Sequence, residues 1–289
     1  MMSSIRRGGE SRAYYITQAS KGEQVVPNLP LPFWGEVTVR ETANVTEVRA
    51  GGSRRPVELE EGMFGVEISV SFPKIQGSAD ALAFYNLVVA SGSPEALTWF
   101  TLGVGDDRGC YAIQDCKMNS RSFSGAAGEA EWFTGNCTIF GGLVRDISTL
   151  AKQTYIDTPG FAMHEAVHSA FEISRFSSSF ENGLEMIPVV AGPATSRVSR
   201  EWDYMPEGSL SHSGEYGVFV RPTQNMNADF IVSTAHNLLF TNKADPYNQI
   251  RLSWTGQKAQ DREARFPGAD ENIEYTVPWL ATDETLEVV

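Results

Sequence analysis

The sequence predicts a mainly-β chain of the α+β class, built as two tandem copies of one unit, and three observations carry that prediction. The stretch Cys110–Phe140 reads as a strand, a short turn at Gly125-Ala-Ala-Gly128 and a returning strand. A weaker copy lies near the C-terminus, where Phe123-Ser-Gly-Ala-Ala-Gly-Glu-Ala-Glu-Trp132 aligns without gaps with Phe266-Pro-Gly-Ala-Asp-Glu-Asn-Ile-Glu-Tyr275. Gly62-Met-Phe-Gly-Val likewise has a counterpart in Gly214-Glu-Tyr-Gly-Val. The two offsets, 266 − 123 = 143 and 214 − 62 = 152, are close enough to predict a duplication.

Taken in order, residues 1–32 lack periodicity and end in Pro27-Asn-Leu-Pro30-Leu-Pro32, which predicts an extended arm or, in an isolated monomer, a disordered terminus. Unit one is placed at 33–142. Phe33–Arg49 alternates as a strand pair, and the Gly/Pro/Arg-rich segment after it reads as a long exposed loop. Gly62–Phe72 is the cleanest strand, with Phe64, Val66, Ile68, Val70 and Phe72 on one face. Ser78–Ala90 changes to helical period, capped by Ser78 or Asp80 and stopped by Gly92, and Leu97–Val104 returns to strand.

Residues 143–162 read as a linker, with a short helical possibility at Arg145–Gln153. Unit two, 163–289, repeats the order. It has strands at Ser169–Arg175 and Phe180–Val190, the Gly214–Val220 strand, a helix over Asp229–Phe240 matching the first, a strand at Gln249–Trp254 and the final hairpin.

Composition sets outer bounds. Hydrophobic residues make up 42% and charged ones 20%, enough for a real core, and no apolar run is long enough to cross a membrane. The N-terminal MMSSIRRGGESR has no apolar signal-peptide core, so export is not expected. Three cysteines (Cys110, Cys116, Cys137) form neither an even set nor a CxxC pair and are read as reduced thiols. With 23 Lys+Arg against 36 Asp+Glu the net charge is −13, which argues against a phosphate-binding nucleic-acid module.

Three features resemble bacteriophage tail tube proteins of the long, duplicated kind. They are Asp115-Cys-Lys-Met-Asn-Ser-Arg-Ser-Phe-Ser-Gly-Ala-Ala-Gly-Glu, Phe171-Glu-Ile-Ser-Arg-Phe-Ser-Ser-Ser-Phe-Glu-Asn-Gly-Leu-Glu, and a helix between strands in each half. The resemblance covers roughly 33–289. The second copy departs from it at Asn225–Asn227 and in its short last hairpin. It implies two tandem β-sandwich domains, each with a flanking helix, in a structural virion protein that is not an enzyme and needs no cofactor. Three chains would then close a pseudo-sixfold ring, and rings assembled in the host cytoplasm would stack into a tail tube. DNA would pass through it without specific binding, and other tail proteins would meet its ends. A ring-forming tail or baseplate protein that does not polymerise is the nearest variant.

An alternative of another class attaches to His164-Glu-Ala-Val-His168, an HExxH. On a helix His164 and His168 would share a face as zinc ligands, with Glu165 polarising the bound water of a peptidase. Against it stand a missing third ligand at a recognisable spacing and a position just after Thr158-Pro-Gly160, where the duplication expects a connector into a strand. His212 and His236 are isolated, and Gly103–Gly109 lacks the Lys-Ser/Thr of a phosphate loop.

Strand alternation puts Glu67, Glu131, Glu215 and Glu274 opposite apolar neighbours on matching strands of the two copies. They are the candidate channel-lining residues, expected to form a negative wall if they face the lumen. The other possibility is that they are ordinary charges on the outside of the tube.

Overall fold

The computed structural model describes residues 11–48, 58–89, 97–106, 108–127, 132–148, 150–151, 160–163, 166–169, 172–190, 200–206, 211–219, 235–242, 245–260, 263–265 and 274–289. The first half contains β1 (Arg12–Thr17), β2 (Leu29–Pro30), β3 (Glu36–Val48), β4 (Glu58–Phe72), α1 (Ala79–Tyr85) with a 3-10 turn (Asn86–Val88), β5 (Phe100–Asp106), β6 (Gly109–Ala126), β7 (Thr134–Gly141) and β8 (Leu143–Ile147). The second contains β9 (Ala166–His168), β10 (Glu172–Glu181), β11 (Leu184–Val190), β12 (Arg200–Pro206), β13 (Ser211–Phe219), β14 (Ala235–Thr241), β15 (Gln249–Thr255), β16 (Lys258–Ala259), β17 (Glu263–Arg265), β18 (Glu274–Ala281) and β19 (Asp283–Val288). The chain is mainly β, as predicted, and no helix among the described residues is long and apolar enough to cross a membrane.

Alternation decides where each strand's faces go. In β4, Val66, Ile68, Val70 and Phe72 are buried while Glu67, Ser69 and Ser71 reach solvent. The same alternation in β7, β13 and β18 buries Cys137 and Ile139, Tyr216 and Val218, and Val277 and Trp279. Pairing then yields one long layer in the order β3-β4-β7-β6-β10-β13-β18, with β16 and β17 both on the far side of β18. Behind it, the first half sets β8-β6-β5-β1-β2 and the second sets β19-β15-β14-β9.

Strand β6 belongs to both layers because it bends. A bulge sets Phe100 and Leu102 of β5 against Cys116 and Ile113, and Asp115 there adopts φ 54. Aspartate tolerates this left-handed conformation better than most residues. The N-terminal segment holds the bend: Asp115 Oδ1 accepts from Gln18 Nε2 (3.0 Å) and Gly22 N–H (2.7 Å), while Asp115 N–H donates to Gln18 Oε1 (3.1 Å).

Helix α1 is capped by Ser78, whose hydroxyl accepts from Ala81 N–H (3.2 Å). It drives aromatic rings into the core: Phe84 meets Tyr15 (4.9 Å) and Phe100 (6.4 Å), and Tyr85 meets Phe72 (5.2 Å) and Phe123 (5.9 Å). At its end Arg121 of β6 donates to Tyr85 O (2.8 Å) and Asn86 Oδ1 (3.2 Å) and pairs with Glu284 of β19. Glu284 also accepts from Trp254 Nε1 (2.7 Å).

Three sequence expectations are corrected. The arm is not free: β1 pairs along its length with β5, and Ala13 and Tyr15 lie in the main core. Arg145 is in strand β8, paired with β6, so the predicted linker does not begin as a helix. Ala235–Phe240 is not helical, because β14 is zipped between β15 and β9. The rest of that predicted helix lies outside the described residues. The two halves also pair directly. Arg175–Glu181 of β10 pairs with Ser120–Ala126 of β6, and one hydrophobic cluster runs from Ala13 to Leu286.

Two outcomes follow. Tyr15→Ala is expected to cost about 3–5 kcal/mol in urea unfolding, and removal of residues 1–30 to abolish cooperative folding, not merely a peripheral contact. Arg121→Met should cost about 3–5 kcal/mol by stranding the buried Glu284 carboxylate, and the double variant Arg121→Met/Glu284→Leu should recover most of that loss in the same assay.

Candidate functional site: the polar face of the long sheet

Once the register is fixed, the solvent side of the long layer resolves into rows of cross-strand neighbours. One row runs Glu36, Ser71, Asn136, Ser122, Ser179, Ser213, Leu280. The next runs Thr38, Ser69, Thr138, Ser120, Glu181. A third runs Thr134, Ser124, Ser177, Glu215, Pro278. Directly opposed side chains have Cβ atoms about 4.5–5.5 Å apart, so such rows are continuous surfaces. Between Arg175 and Glu181, which end the β6–β10 junction on this face, the surface is hydroxyl, with the Asn136 amide beside it on β7, and the Ser124 and Thr134 hydroxyls lie 3.2 Å apart.

Glu67, Glu215 and Glu274 fall on this one face, since each pairs in phase with the rows above. Glu131 lies outside the described residues. The three carboxylates have company that the sequence did not reveal. Glu67 is in register with Arg40, Glu215 pairs with Arg175 (3.4 Å), and Glu274 accepts a hydrogen bond from the Ser174 hydroxyl. Arg175 also donates to Thr276 Oγ1 (2.8 Å). The Arg175–Glu215 pair is exposed and contributes about 0–1 kcal/mol to stability, yet it neutralises charge on the face. The expected negative wall is therefore partly compensated. No feature of alternation could have announced this, because Arg40 and Arg175 become neighbours of Glu67 and Glu215 only through long-range pairing.

The HExxH resolves differently. His164 and Glu165 lie outside the described residues, but Ala166–His168 is the edge strand β9, in register with Phe240–Leu238 of β14. A zinc-peptidase helix cannot run through these positions. His168 points into the core, its ring stacked on His236 (5.2 Å) and edge-on to Tyr216 (5.1 Å). Burial, then the neighbouring His236, pushes its pKa down to about 3. His212 is also buried, against Phe180 (3.9 Å), and its pKa is lowered by burial. Among the described residues no three His, Cys, Asp or Glu side chains converge as a metal site.

The histidine geometry sets a pH dependence. His168 takes up a proton near pH 6.5 when unfolded but only near 3 when folded, so between those values the unfolded chain binds more protons. Its contribution is complete above about pH 6.5 and is lost as pH falls toward 3. His168→Leu should lose about 2–3 kcal/mol less than the wild type between pH 7 and pH 4.5, read by urea unfolding.

No protein-family model matches the chain, and no curated protein matches it.

Proposed function

We propose that this chain is a structural, non-enzymatic ring-forming protein of the tail-tube type, whose rings stack into a conduit for DNA. The observation that carries the proposal is the strand order of the long layer. It reads β3-β4-β7-β6 and then β10-β13-β18-β17, and each strand of the first set corresponds in chain order to one of the second, with β16 and β17 continuing the path that β6 makes unbroken. The second layer supports the same reading, with β8-β6-β5-β1 matched by β19-β15-β14-β9. The starts of β7 and β18 (274 − 134 = 140) and of β8 and β19 (283 − 143 = 140) are equally spaced. Two copies of one sandwich unit account for this order. The segment between β13 and β14, where a second flanking helix belongs, lies outside the described residues.

The junction of the copies also suggests how chains associate. Strand β6 of the first unit pairs antiparallel with β10 of the second. Their counterparts, β17 of the second unit and β3 of the first, are the ends of the long layer. A β17–β3 pairing between successive chains repeats the internal junction, removes both exposed edges and closes a head-to-tail ring. Three chains supply six similar sectors, with the polar face and its Glu67, Glu215 and Glu274 turned to the lumen. The rings belong to a virion tail assembled in the host cytoplasm, meeting other tail proteins at the tube ends.

Negative-stain microscopy of the purified chain, with native mass measurement of disassembled rings, tests the proposal. The expected result is rings or tubes with three chains per ring and six-lobed views. A monomer at all concentrations, or six chains per ring, overturns it.

A further inference from the structure

We infer that the centre of the polar face is an uncharged hydroxyl wall, fitted to a passing duplex polyanion that it neither captures nor repels; this rests on the conduit reading above. The register brings Ser120, Ser122, Asn136, Ser177, Ser179 and Ser213 from four adjacent strands onto one continuous surface. Four strands about 4.8 Å apart make this sector about 14 Å across. Of the charges that border it, Arg175 pairs with Glu215 and Arg40 is in register with Glu67, while the carboxylates of Glu181, opposite Ser120, and Glu36, opposite Ser71, mark its margins.

A duplex carries one charge per about 1.7 Å of axis, so even one uncompensated cation per chain, repeated around and along a tube, would hold it by releasing counterions. An equally dense set of bare carboxylates would oppose its entry. Hydroxyl and amide groups do neither. They hydrogen-bond to phosphate or to water with little difference between the two, so a chain sliding past exchanges one for the other. The chain's net charge of −13 must then reside mainly away from this sector.

The test uses virions whose tails carry full-length variants, with DNA release after triggering followed by dye fluorescence and each variant compared with wild type at the same salt. Ser122→Ala/Ser179→Ala should release within about twofold of wild type, since no specific phosphate contact is lost. Ser122→Lys/Ser179→Lys should slow release at least about tenfold at about 50 mM salt and recover at about 500 mM. Ser122→Glu/Ser179→Glu should slow it about threefold, because a neutral wall has become repulsive. Release by the Ala pair slowed more than about fivefold, or a Glu pair in intact tubes indistinguishable from wild type, would overturn the inference. Should the charged variants fail to assemble, wild-type tubes sedimented with a short DNA duplex at about 50 mM salt decide it: the neutral wall retains none, and retention overturns it. Absence of tubes from the wild-type protein instead overturns the conduit reading itself.

Discussion

A guanidinium cannot be left in an apolar core without partners, and the surroundings of Arg121 are organised by that requirement. The side chain is 2% exposed and sits over the rings of Phe123 (4.7 Å) and Phe180 (5.9 Å). Its two terminal nitrogens donate to the end of α1 on one side and to Glu284 on the other, while Nε is buried without a hydrogen-bond partner. Glu284, itself 3% exposed, is fixed further by Trp254. This single group therefore ties β6 and α1 of the first half to β15 and β19 of the second. Asparagines extend the seam: Asn182 donates to Val88 O and Met118 O, and Asn86 to Leu286 O. Such a network specifies one docking of the halves more than it adds stability, since an apolar replacement would pack about as well.

Strands with clean alternation were legible from sequence because the signal is local. Val66 to Phe72 shows it plainly, and the cap at Ser78 follows from side-chain chemistry alone. The misread segments are those decided from afar. Ala235–Thr241 contains an Asn-Leu-Leu that looks like the helical Asn86-Leu-Val, but two flanking strands claim it. The prolines before Phe33 suggested a free arm, yet Pro30 sits in a two-residue edge strand where a missing N–H costs little. β1, upstream of them, is a full core strand.

The polar face was half legible. Parity placed Glu67, Glu215 and Glu274 correctly on the outward phase, while the order in which strands meet was absent from any window of sequence. Serines that are scattered through β6, β10 and β13 carry no signal singly. Only the antiparallel register collects them into rows and sets arginines beside the glutamates.

The left-handed turn at Asp115 has a mechanical consequence. Because β6 crosses from one layer to the other without a chain break, its backbone is a continuous covalent strut between them, pinned at the crossing by Gln18 and Gly22. Sliding of the two layers must stretch or unzip that strut instead of merely shearing side-chain contacts. In the second half the corresponding path is interrupted at Gly256 (φ +61) and resumes as the short β16. The first half is thus the stiffer of the two, and elastic strain on the molecule should gather in the second.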